Sequence, residues 1–156
     1  MKNLFKKIGA LLVAAIMVLA MASTAFADGP TATITVNNAD NATLTYAQVI
    51  KADQTTRTGW AFVNDDVKNA YIEAYGVAAD DAQAAIEALI ANTDAEKLGK
   101  AQALAAGKVT FVEMSNPQTV SEAGVYLVKA TEVGYTYNIM SAYVGFGEVP
   151  NLTNAI

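Results

Sequence analysis

The chain has no cysteine and no histidine in 156 residues, only three prolines and one tryptophan, and fewer basic than acidic side chains, 10 against 15. Without cysteine there is no disulfide frame, thiol nucleophile or thiolate ligand, so the fold depends on a packed core or on some other covalent device. Without histidine the chain lacks the commonest general base near neutral pH and the commonest transition-metal ligand. Paired carboxylates can still hydrolyse glycosidic bonds, which leaves an acid-based enzyme open but places it behind non-catalytic roles.

What is present at the start is a cationic stretch with Lys2, Lys6 and Lys7, an uninterrupted apolar and small run over residues 8–22, and Ala25-Phe26-Ala27. That order is expected of a secretory signal peptide spanning residues 1–27, cleaved after Ala27. The apolar run is short for a bilayer span and meets an Ala-x-Ala site at once, which disfavours a retained anchor. Cleavage removes three lysines and no acid, leaving residues 28–156 with seven basic and fifteen acidic residues, a net charge of −8. An acidic surface of that size repels phosphate backbones and anionic headgroups, so neither nucleic acid nor membrane is an expected partner of the processed chain. Its length fits one domain.

The first mature segment alternates: Thr31, Thr33, Thr35 and Asn37 fall on one face, Ala32, Ile34 and Val36 on the other, as in a half-buried strand. Residues 37–41 form an Asn/Asp turn cluster, and residues 45–51 resume as a strand, so the two read as a hairpin. Residues 59–63, with Trp60, read as a third strand. The pattern then changes to the helical period. Asn64 or Asp65 caps a helix with Val67, Ala70, Tyr71 and Ala74 on one stripe and Gly76 as its stop; Asp80 with Gln83 starts a second through Ile86, Leu89 and Ile90. Thr93 with Glu96 resembles a capping box for a third helix, with Leu98, Ala101, Leu104 and Ala105 inward, Glu96 and Lys100 paired outside, and Gly107 at the end. These Ala-rich stripes read as core packing.

From Lys108 the chain is β again, with strands expected over residues 108–113, 124–131 and 141–149, separated by Asn116-Pro117 and by the turn-rich residues 134–138. Strands, then helices, then strands predict a mainly β fold: a β-sandwich in residues 28–156 whose halves are joined by a three-helix insertion at about residues 64–107.

The segments Thr31-Ala-Thr-Ile-Thr-Val-Asn-Asn38, Thr45-Tyr-Ala-Gln-Val-Ile-Lys51, the Trp60 strand with its following Ala-rich helices, and Glu122-Ala-Gly-Val-Tyr-Leu-Val-Lys129 resemble the N-terminal domain of Gram-positive sortase-assembled fimbrial pilins. The resemblance covers nearly all of residues 28–156. It implies an immunoglobulin-like module at the cell wall, with other pilin subunits, sortase and host surface molecules as partners and adhesion as the role. The sequence departs from that family in having no LPxTG signal, no apolar or basic C-terminal segment, and Glu148-Val-Pro-Asn-Leu152 in place of a pilin motif with lysine after proline. A front piece of a longer pilin and a free secreted domain both fit, and the end at Thr153-Asn-Ala-Ile156 favours the first.

Related domains are stapled by Lys–Asn isopeptide bonds, whose chemistry needs an amine, an amide and a proton-shuttling acid together in an apolar core. Lys51 and Lys129, the late Asn138, Asn151 and Asn154, and Glu113, Glu122 and Glu148 are the conceivable members, but the first strand carries no lysine, and the lysines read as strand-edge charges. The acid pairs Asp65-Asp66 and Asp80-Asp81 sit at helix starts, where the macrodipole favours them. Trp60, Tyr71, Tyr75, Tyr126, Tyr135, Tyr137 and Tyr143 are read as core aromatics first and as a sugar-binding platform second. No catalytic, cofactor-binding or metal-binding residue is expected. The leading expectation is a non-enzymatic structural protein of the bacterial surface, a fimbrial N-terminal domain; the alternative is a secreted module binding carbohydrate or host protein, and a carboxylate enzyme comes third.

Overall fold

The computed structural model describes residues 30–92, 94–147, 152, 155 and 156, and the backbone of residues 15–20. Two antiparallel sheets and three helices make a mainly β fold with some helix. The strands are β1 (Ala15–Ala20), β2 (Thr31–Val36), β3 (Thr43–Ala52), β4 (Trp60–Phe62), β5 (Val112–Glu113), β6 (Gln118–Val120), β7 (Gly124–Thr131) and β8 (Met140–Val144). The helices are α1 (Asp65–Tyr75), α2 (Ala82–Ile90) and α3 (Ala95–Ala106). The smaller sheet runs β1-β2-β6. The larger runs β4-β3-β7-β8, with β5 on the same edge of β3 as β4.

The alternation in β2 is realised: Ala32, Ile34 and Val36 are buried and the threonines half-exposed. The turn after it uses Asn38 at φ 59, a left-handed conformation that asparagine tolerates better than most residues, but it closes no hairpin: β2 pairs with β1 and β6, and β3, with β4, β5 and β7, lies in the other sheet. In β3 the register against β7 slips between Gln48 and Ile50, a bulge that sends both Val49 and Ile50 into one core. Opposite it stands Gly124 at φ 151, where a Cβ would lie 1.8 Å from the Ile50 carbonyl oxygen. Only glycine fits so close an approach of two backbones.

Each helix starts on a side-chain cap. Asn64 accepts from the Val67 amide at 2.8 Å, and α1 stops on Gly76 at φ 68. The second cap is Asp81, accepting from the Ala84 amide at 2.9 Å, not the expected Asp80, which takes φ 62 in the turn before it. Gln83 is drawn away from a capping box: its Oε1 accepts from the Thr58 amide and hydroxyl, and its Nε2 donates to the Trp60 carbonyl at 3.0 Å, pinning α2 to the β3–β4 loop. Asp94 caps α3, accepting from the Glu96 and Lys97 amides, while the expected cap Thr93 lies outside the described residues. Glu96 and Lys100 are exposed, Leu104 is half-buried, and Gln102 is buried where its amide donates to the Ser141 hydroxyl at 2.8 Å.

The larger sheet separates two cores. On one face the helices deliver Val67, Tyr71, Ile86, Leu89 and Ala101 onto Val49, Ile50, Trp60, Val125 and Leu127. On the other, Leu44, Tyr126, Val128, Met140, Ala142 and Val144 meet Ala32, Ile34, Val36 and Val120 of the smaller sheet. Strands from both ends of the chain therefore share a core, and the helices form a third layer on the outer face of the larger sheet. Three strand boundaries also differ from expectation. Within residues 108–113 only Val112 and Glu113 join the ladder, because Lys108 closes the end of α3 through its amide to the Ala105 carbonyl. The last strand runs Met140–Val144, and Glu148 and Val149 lie outside the described residues. Strand β6, which starts directly after Pro117, was not anticipated.

Candidate functional site

A groove of about 360 Å³ opens between the two sheets. Tyr46 and Gln48 of β3, Val112 of β5, Thr119 of β6, the Ser121–Glu122 turn and Tyr126 of β7 line it. The pleat explains the grouping. Tyr46 and Gln48 project from alternate positions of β3, and Tyr126 sits on the paired strand in register with Gln48. The Tyr46 and Tyr126 rings lie 6.1 Å apart at 37°. The Tyr126 hydroxyl donates to the Glu122 carbonyl at 2.7 Å, and Gln48 Nε2 donates to the Ala123 carbonyl at 3.3 Å, so both side chains are held by the β6–β7 turn. Burial, with the Glu122 charge second and Tyr46 third, raises the Tyr126 pKa strongly and keeps its phenol a neutral hydrogen-bonding group. The half-buried Tyr46 ring, an amide, hydroxyls and an exposed carboxylate in one groove, backed by the buried Tyr126, can stack on and hydrogen-bond a polyhydroxylated ligand.

The aromatics marked in the sequence do not form one platform. Trp60 and Tyr71 are fully buried in the helix-side core, with Tyr143 edge-on to Trp60 at 6.1 Å and Phe62 5.0 Å from Tyr71. Tyr75 donates to Asn92 at 2.9 Å between helices. Tyr135 and Tyr137 stack at 6.4 Å beside Glu132, whose carboxylate accepts from the Tyr137 hydroxyl. Only Tyr126 reaches the groove, where it meets Tyr46, a residue the sequence reading placed in a strand without assigning it a role. The signal for Tyr46 was its spacing of two from Gln48, which puts both on one face.

The isopeptide candidates are not gathered in a core. Lys51, Asn138, Glu113 and Glu122 are exposed, and Lys129 is half-buried with its ammonium 4.3 Å from the Phe111 ring centroid, a cation–π contact. Asn151, Asn154 and Glu148 lie outside the described residues. The acid pairs Asp65-Asp66 and Asp80-Asp81 are exposed at helix starts; Asp65 and Asp80 flank the Lys68 ammonium at 3.7 and 3.4 Å. Among the described residues no cluster of three acidic side chains is placed to hold a metal ion, and no helix is long and apolar enough to cross a membrane. Comparison with protein-family models, curated proteins and solved structures finds no match to this chain.

Proposed function

We propose that the chain is an exported structural protein of the Gram-positive cell surface: the immunoglobulin-like N-terminal domain of a fimbrial subunit with a role in adhesion. The observation that carries this reading is the shared core between the two sheets. It gathers Ile34 and Val128, from two of the segments that resemble pilin N-terminal domains, into one cluster with Val144 of the last strand. The signal-peptide pattern and the acidic mature surface support export and display. Antibodies against residues 28–156 should label the intact cell surface and detect a ladder of detergent-resistant high-mass species, lost when sortase is deleted. A single species of monomer mass free in the medium would overturn it.

The groove favours a second reading, a secreted module binding carbohydrate or host glycoprotein through Tyr46, Tyr126, Gln48 and Glu122. Its test is a glycan array with Tyr126→Ala as the control, retained binding by the variant counting against it.

A further inference from the structure

Strand β1 lies inside the segment that the sequence assigns to the signal peptide, yet it completes the smaller sheet. Its six residues pair antiparallel with all of β2, from Ala15 opposite Val36 to Ala20 opposite Thr31, and it also lies against β8 of the larger sheet. Which β2 groups it serves follows from the other edge. The Val36 amide donates to Asn116 Oδ1 at 2.9 Å and the Val36 carbonyl accepts from Asn116 Nδ2 at 2.8 Å, at the position that continues the β6 register. Backbone groups alternate sides along a strand, so Ala32, Ile34 and Val36 face β6, while Thr31, Thr33 and Thr35 turn their N–H and C=O groups toward β1.

Removal of residues 1–27 therefore leaves a row of six backbone groups unpaired on β2, beside Met140, Ala142 and Val144 of β8, with a two-stranded remnant to cover the second core. The exposed edge carries none of the usual protection. Residues 31–36 contain no charge, proline or bulge.

We infer that the groove between β2 and β8 is a strand-acceptor site, vacated by signal-peptide cleavage and filled in the processed protein by an extended apolar segment of another polypeptide. This rests on the export reading above. The occupant is defined by the strand seated there: six residues, Ala-Ile-Met-Val-Leu-Ala, uncharged and antiparallel to β2. A folded second copy presenting its own β2 is disfavoured because that strand already carries β6 on its other edge, whereas the strand seated here pairs with β2 alone and lies against β8. Main-chain pairing supplies the affinity and the apolar floor the selectivity, as in other strand additions.

The experiment starts with the intact mass of the secreted protein. A product beginning at Asp28 has an open site. One retaining residues 1–27 shows that the strand never leaves, which overturns both export and acceptor. The processed protein is then titrated against a fluorescein-labelled synthetic peptide carrying the sequence of residues 15–20 between solubilising lysines. Saturable binding with a rise in Tm is expected. N-methylation at the peptide positions of Ile16 and Val18, whose amides face Thr35 and Thr33, should weaken binding roughly tenfold or more, whereas methylation at Met17 and Leu19 should not. On the protein side, Thr33→Pro removes one edge donor and should have a similar effect, with circular dichroism reporting the fold. No binding to the folded processed protein, equal loss with both methylation patterns, or self-association of the processed protein in place of peptide binding would each overturn the acceptor site while leaving export intact.

Discussion

The side-chain amide of Asn116 hydrogen-bonds both backbone groups of Val36, at 2.9 and 2.8 Å, and so stands in for a strand partner eighty residues away in the chain. Strand β6 begins only at Gln118, so without Asn116 the end of β2 would lose its partner on that edge. Asn116→Ala should lower stability by about 1–2 kcal/mol, two hydrogen bonds of ordinary net worth, read from the urea midpoint at unchanged m-value.

Gly124→Ala sets a new Cβ against the Ile50 carbonyl at the β3 bulge, in a backbone conformation that L residues seldom adopt. Both neighbours are main chain and cannot step aside. A loss of about 3 kcal/mol or more is expected, against a much smaller effect for Gly99→Ala in α3, where the added Cβ meets open space and helix propensity favours the change. Thermal unfolding of the two variants measures the contrast.

Tyr71 is buried between Phe62 and the helices, and its hydroxyl has no hydrogen-bond partner among the described residues. An unsatisfied buried hydroxyl costs more than it contributes. Tyr71→Phe should therefore be neutral or stabilising by about 1 kcal/mol, whereas Tyr71→Ala, which opens a cavity, should cost about 3–5 kcal/mol in the same denaturation assay.

Alkaline pH should weaken the fold. Burial, with the Asp94 charge second, pushes the Tyr75 pKa up from 10.0 to about 12. Its folded form holds the proton longer than the unfolded chain does, so this stabilisation is complete below pH 10 and is lost as pH rises toward 12. Urea midpoints at pH 8 and pH 11 should diverge in the wild type and diverge less in Tyr75→Phe.

The exported chain should begin at Asp28, and residues 28–156 should carry no intramolecular cross-link. An intramolecular isopeptide bond would remove one ammonia, about 17 Da. The two candidate amines do not suit it: Lys51 is exposed and the Lys129 ammonium rests on Phe111. A deficit of one ammonia mapped by tandem mass spectrometry to either lysine would refute this.

The elements legible in the residues were those whose signal is local. The Thr/apolar alternation placed β2, the 3.6-residue stripes placed three helices, and Asn64 and Gly76 bounded the first of them, because periodicity and capping act within a few neighbouring residues. Gln83 shows the limit. Its spacing from Asp80 spelled a capping box, but Thr58 and Trp60, distant in sequence, offered its amide better partners once β4 lay beside α2. Lys108, Val109 and Thr110 carry strand-forming residues, yet the close of α3 and the reach to the helix-side core hold them off the ladder.

By itself, then, the sequence determined the kinds and order of most elements and the buried faces of β2 and the helices, since burial preference and period belong to each segment alone. Only the tertiary structure decided that the helices form a layer on the outer face of the larger sheet. It also decided that Tyr46 and Tyr126 share a groove, that Asn116 completes β2, and that residues 15–20 fill an edge whose other side belongs to β6. Those relations join parts of the chain with no common period or motif, and they exist only because two sheets must bury both faces of β7 and pair every buried backbone group at once.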